Sequence, residues 1–159
     1  MFSKITQDLQ EQLKKDLAQI RFLLKKSPGM GYSRIVEVGK DVGKKYGIKL
    51  VVNFPKEGRI EEFEMYGKRD LSLIIDYDRK RFPINRDLIK EKAKEILGDV
   101  QVSDAYMYEN KEGVRVYTDD WKIDILPHSV HIWTEFTDSV TEFGDWLLEN
   151  AYGMKRQAI

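Results

Sequence analysis

The sequence contains no cysteine and no long apolar run, and each absence excludes a class of protein. Without cysteine the chain has no disulfide framework, no thiol nucleophile and no cysteine-ligated zinc or iron–sulfur centre. Its apolar runs fall well short of the roughly 18 residues that a membrane-spanning helix needs, and no signal-like segment opens the chain. We therefore expect a soluble, cytoplasmic protein with no membrane partner.

The net charge is zero, but the charges are unevenly placed along the chain. Residues 1–50 contain 11 basic and 5 acidic side chains, whereas residues 99–159 contain 5 basic and 12 acidic ones. One interpretation is that the two ends attract each other within the fold or form ordinary solvated surfaces. The alternative is that the basic segment binds an acidic partner, which includes nucleic acid.

The first 47 residues predict a pair of helices. Apolar residues recur every three or four positions from Phe2 to Leu24, as on one face of an amphipathic helix, and the Ser-Pro-Gly segment at 27–29 would end that helix. A second helix is predicted over Ser33–Tyr46. The apolar stripe of the first helix suits either a core or the seam of a homodimer, and both interpretations stay open.

Three glycines, Gly39, Gly43 and Gly47, fall four residues apart in and just after the second predicted helix. A glycine inside a helix costs about 1 kcal/mol relative to alanine, so the position needs a compensating gain. We therefore expect another helix or the sheet to approach this row of glycines closely.

The remaining segments predict an α+β fold. The run Asp70–Asp78 has the composition of the most buried strand, and the last four strand-like segments are linked so closely that they must pair antiparallel. We expect one domain over 1–159, in which the helical pair (1–47) precedes a mostly antiparallel sheet of five to six strands (48–136) with one inserted helix. A C-terminal helix (137–152) follows, and the helices pack on one face of the sheet. The strand-like segments are residues 49–54, 60–66, 70–78, 100–108, 114–118, 121–126 and 129–136.

The closing hairpin, formed by the last two of these segments, places charged and aromatic residues on one face. Strand alternation turns Trp121, Ile123 and Ile125 inward, together with Val130, Ile132 and Phe136. The opposite face then carries Lys122, Asp124, His131, Trp133 and Glu135. A two-residue turn at 127–128 would pair Asp124 with His131 and Lys122 with Trp133, whereas a shifted register would pair Asp124 with Trp133.

Three interpretations of this hairpin face remain open. The first is an ordinary cross-strand ion pair, with Trp133 covering surface. The second is a contact patch for another protein, in which Trp133 is the anchor and Lys122, His131, Asp124 and Glu135 form a polar rim. The third is a catalytic dyad in which Asp124 orients His131 as a base, although no nucleophile motif accompanies the pair.

A second candidate site consists of acids near the end of the run Asp70–Asp78. Asp76 and Asp78 share a strand face, and Asp124, Asp119 or Asp120 could supply a third carboxylate. Carboxylate oxygens are the ligands that Mg²⁺ prefers, and such a site would suit phosphoryl or nucleotidyl transfer.

The function that these patterns favour is a small intracellular protein-binding module of the inhibitor, antitoxin, immunity or adaptor kind, without a cofactor. The alternative is a magnesium-dependent transferase that uses Asp76, Asp78 and Asp124. The third interpretation is nucleic-acid binding by the basic N-terminal helices and the Arg-Lys-Arg segment at 79–81.

Overall fold

The computed structural model describes residues 1–53, 72–77, 80–107, 110–134 and 136–154, and the structural statements below concern these residues. The helices are α1 (Phe2–Lys15), α2 (Leu17–Lys26), α3 (Pro28–Lys45), α4 (Arg86–Leu97) and α5 (Asp138–Asn150). The strands are β1 (Lys49–Asn53), β2 (Ser72–Asp76), β3 (Gln101–Met107), β4 (Asn110–Tyr117), β5 (Lys122–Ile125) and β6 (Ser129–Trp133). The strand predicted at 60–66 lies outside the described residues.

The strands form one six-stranded sheet in the order β1-β2-β6-β5-β4-β3, and every neighbouring pair is antiparallel. The helices pack on one face of this sheet, so the predicted α+β architecture is confirmed. Strand β2, which was predicted as the most buried strand, lies between β1 and β6. Its Leu73 and Ile75 are fully buried beneath the helices, while Ile74 on the other face is half-buried.

The prediction of a single helix over Phe2–Leu24 is wrong, because the helix is interrupted at Asp16, which separates α1 from α2. An ion pair from Arg34 Nη2 to Asp16 Oδ2, 2.7 Å long, connects this break to α3. Helix α3 also begins at Pro28, five residues before the predicted start. Proline stops a helix that it follows, but it suits the first position of a new one, where its missing N–H would have had no helical acceptor.

The apolar stripe of the first two helices packs into the core of this chain. Six of its residues, Phe2, Ile5, Leu9, Leu13, Ile20 and Leu24, are at most 5% exposed. The Phe2 ring meets the edge of the Phe136 ring at a centroid distance of 5.9 Å. Because the stripe is buried within the chain, it does not offer the seam for a homodimer.

The glycine row of α3 lies against β1, as its spacing predicts. A Cβ built on Gly39 would lie 2.8 Å from Val52 Cγ2, and one built on Gly43 would lie 2.8 Å from the Ile48 carbonyl oxygen. Gly47 serves a different purpose, because it follows the helix with a φ of +68°, a conformation that side chains disfavour. Close approach to the sheet therefore explains the first two glycines, and backbone conformation explains the third.

The basic and acidic ends of the chain meet where α1 packs on α5. The ammonium group of Met1 lies 2.9 Å from Asp145 Oδ1 and 3.4 Å from Glu149 Oε1. The basic partner here is the Met1 ammonium group and not one of the lysine or arginine side chains counted in residues 1–50, so the interpretation that the two charged ends attract each other stays a prediction. Within the described part of the chain, none of the helices combines the length and apolar character needed to cross a membrane.

Candidate interaction surface on the open face of the sheet

The face of the sheet opposite the helices, which we call the open face, carries two rows of side chains across the strands. In one row His131 lies opposite Asp124, and Asp124 lies opposite Arg115. In the next row Trp133 lies opposite Lys122, and Lys122 lies opposite Tyr117. The predicted register of the hairpin is thus confirmed, and the alternative that placed Asp124 opposite Trp133 is wrong.

Backbone hydrogen bonds hold the turn that sets this register. The Leu126 N–H donates to the Ser129 carbonyl at 2.9 Å, which closes a two-residue turn. Pro127 and His128 occupy the turn, and their carbonyls accept hydrogen bonds from the Phe82 and Tyr77 N–H groups at 2.8 and 2.9 Å. The neighbouring segment therefore stabilises a turn whose proline does not suit the usual hairpin types.

Asp124 is paired with a residue that the sequence analysis missed. Its carboxylate accepts hydrogen bonds from Arg115 Nε at 2.7 Å and Arg115 Nη2 at 3.0 Å, a bidentate ion pair across β4 and β5. Asp124 is only 8% exposed, so this pairing is what makes its burial tolerable. The sequence does contain a signal for this pair. Arg115 lies between Val114 and Val116, and the short link from β4 to β5 predicts that it lies opposite Asp124.

His131 makes its hydrogen bond within its own strand. Its Nε2 lies 3.0 Å from the Ser129 hydroxyl oxygen, and among the described residues no hydrogen bond joins it to Asp124. Burial lowers the pKa of His131 below its ordinary value, although the charges of Asp124 and Asp76 act in the opposite direction. Asp124 therefore faces the imidazole without orienting it, and the geometry gives no support to a catalytic dyad.

Trp133 and Lys122 form the cation–aromatic pair that the sequence predicts. The Lys122 Nζ lies 4.7 Å from the centroid of the Trp133 ring, within the range of a cation–π interaction. Glu135, the remaining residue of the predicted patch, lies outside the described residues.

Beside this pair the open face contains a depression of about 740 Å³. Three partly exposed aromatic side chains line it, those of Tyr117, Trp121 and Trp133. Trp121, which is predicted to point inward, is partly buried and packs against the hydrophobic core, and it also borders this depression. The other lining residues are Ser103, Arg115, Thr118, Asp119, Asp120 and Lys122.

The structure does not bring Asp76 and Asp124 together. Strand β6 lies between their strands, which places two such backbones about 10 Å apart, and Asp124 is already bound to Arg115. Asp78 lies outside the described residues. Within the described residues, no group of three His, Asp or Glu side chains is arranged to hold a metal ion.

The basic residues proposed for nucleic-acid binding are spread over the helical side. Lys14, Lys15, Lys25 and Lys26 are exposed at the ends of α1 and α2. In the Arg-Lys-Arg segment, Lys80 is exposed, Arg81 pairs with Glu112, and Arg79 lies outside the described residues.

The open face is thus an ordered surface with aromatic and charged side chains held by a sheet. No protein-family model, curated protein or solved structure matches this chain.

Proposed function

We propose that this protein is a small intracellular binding module that holds another protein on its open face. The observation that carries the proposal is the aromatic depression of about 740 Å³ on the side of the sheet that the helices among the described residues leave uncovered. It combines large rigid side chains with charged groups of both signs.

This combination resembles the anchor of a protein–protein interface. A few aromatic residues usually supply most of the binding free energy, and a polar rim around them excludes water. Here Trp133 is positioned by β6 and by its contact with Lys122, while Arg115 and Asp124 fix each other beside it. Because regular strands position these side chains, little conformational freedom is lost when a partner binds.

The test is affinity capture with the wild-type protein and a Trp133→Ala variant. Loss of an anchoring aromatic costs about 2 kcal/mol or more, so we expect the dissociation constant of a captured protein to rise about 30-fold. The matched control is Leu88→Ala, which removes a 39% exposed apolar side chain from α4 on the helical side.

Equal capture by wild type and Trp133→Ala would contradict the proposal, provided that both proteins melt at the same temperature. Loss of capture by Leu88→Ala alone would place the binding surface on the helices instead.

A further inference from the structure

The depression carries more acidic than basic charge once the ion pair at its floor is counted. Arg115 is neutralised by its bidentate contact with Asp124. The remaining charged groups are the ammonium of Lys122 and the carboxylates of Asp119 and Asp120, two exposed residues in the β4–β5 turn. Neither of these two carboxylates makes an ion pair within the described residues.

A cation already lies on one of the aromatic rings. The Lys122 Nζ is 4.7 Å from the centroid of Trp133, so this ring already contacts a positive charge in the manner of a cation–π pair. Tyr117 and Trp121 provide two more aromatic surfaces, and the turn residues Asp119 and Asp120 line the same depression. Aromatic rings next to carboxylates form the usual receptor for a protonated amine or guanidinium group.

We propose that the depression receives a basic segment of the partner protein, whose lysine or arginine side chain is inserted between the aromatic rings and the turn carboxylates. The inference rests on the proposed function and names the chemistry of its partner. The rival ligand is an acidic segment bound by Lys122 and by the outer nitrogens of Arg115. Substitution of Lys122 distinguishes these two ligands, because its charge repels a basic segment and attracts an acidic one.

The probe is a phage-displayed library of random heptapeptides, selected on immobilised wild-type protein with soluble Trp133→Ala present to remove peptides that bind elsewhere. We expect the selected pool to be enriched in lysine and arginine over aspartate and glutamate relative to the input library. Enrichment of acidic peptides overturns the inference, and so does a pool without charge bias.

Individual selected peptides are then titrated against three variants. Asp119→Asn/Asp120→Asn should weaken binding about five-fold, and Lys122→Met should strengthen it about two-fold because the competing ammonium is removed while the ring remains covered by a chain of similar length. The control Asp41→Asn/Asp99→Asn removes the same two charges from exposed positions outside the depression and should leave the affinity unchanged. Weaker binding to Lys122→Met, or an unchanged affinity of the turn variant, overturns the inference.

The two proposals fail in distinguishable ways. If capture of a protein requires Trp133 but the selected peptides are acidic, the binding face is correct and the basic partner is wrong. If capture does not require Trp133, the proposed function itself fails.

Discussion

His131 shows how a single side chain on the open face links pH to stability. Burial lowers its pKa below the ordinary value of 6.5, so the unfolded chain takes up a proton before the folded protein does. The neighbouring charged groups are Asp124 and Asp76, which favour the imidazolium, and His128, which opposes it. The contribution of His131 to the free energy of unfolding has its full value at neutral pH and decreases as the pH falls through 6.5.

The corresponding test compares wild type with His131→Gln in urea at pH 7.5, 6.0 and 5.0. We expect the unfolding midpoint of the wild type to fall more steeply with decreasing pH than that of the variant. Parallel pH profiles for the two proteins would show that His131 is as easily protonated in the fold as in the unfolded chain.

At the level of residues, the ion pair between Arg115 and Asp124 is a contact that strand alternation within the hairpin does not predict. The hairpin pattern correctly placed Lys122, Asp124, His131 and Trp133 on one face, because successive strand residues point to opposite sides. It names His131 as the partner of Asp124, because the hairpin contains only one of the two strands that neighbour β5. A strand inside a sheet has two neighbours, and the stronger donor stood on the other one.

At the scale of secondary-structure elements, the close packing of α3 on β1 depends on glycines, because they have no side chain to separate the helix from the strand. A Cβ on Gly43 would lie 2.8 Å from the Ile48 carbonyl oxygen and 2.9 Å from the Leu50 nitrogen. Both are backbone atoms, which cannot move aside as the end of a flexible side chain can. We expect Gly43→Ala to lower the melting temperature by about 2–8 °C, because overpacking of up to about 3 kcal/mol exceeds the gain of about 1 kcal/mol in helix propensity.

The control for this substitution lies in the same helix. A Cβ on Gly29 would meet no atom within 4 Å, so Gly29→Ala should leave the melting temperature unchanged or raise it slightly. Calorimetry of both variants measures the difference. Equal melting temperatures would mean that the helix and strand separate at little cost.

The boundaries of the helices show why the sequence predicts elements better than their ends. The apolar period continues smoothly across Asp16, so nothing in the pattern reveals the break that the Arg34 ion pair stabilises. Pro28 and Gly29 resemble a stop signal, yet they form the first turn of α3 because proline is tolerated there. Periodicity reports which face is buried, whereas tertiary contacts decide where a helix begins.

At the scale of the whole molecule, the contact between α1 and α5 connects the basic and acidic ends of the chain. Burial raises the pKa of Asp145, but hydrogen bonds from the Ser3 backbone, the Met1 ammonium and the Ser3 hydroxyl outweigh it, and the pKa lies below the ordinary 3.8. A lowered carboxyl pKa stabilises the fold above about pH 4 and ceases to do so as the pH falls through the folded-state value.

Asp145→Asn is therefore expected to be less stable than wild type at pH 6, with the difference disappearing near pH 2. Urea unfolding at both pH values, on protein that starts at Met1, measures the effect. Glu142→Gln alters an exposed carboxylate of the same helix and should change stability much less. A deficit for Asp145→Asn that is equal at both pH values would assign the loss to packing instead of charge.

The order of the strands has a consequence for how the chain is made. Strands β3 to β6 follow one another in both sequence and space, so they can pair as soon as they are synthesised. Strand β2 instead pairs with β6, and Phe2 packs against Phe136 and beneath Gly144 on α5. During translation the apolar surfaces that contact β6, Phe136 and α5 therefore stay uncovered until more than 130 residues have left the ribosome, although the amino-terminal helices and β1–β2 can already pack on one another. We therefore expect chaperones to bind this half of the nascent chain.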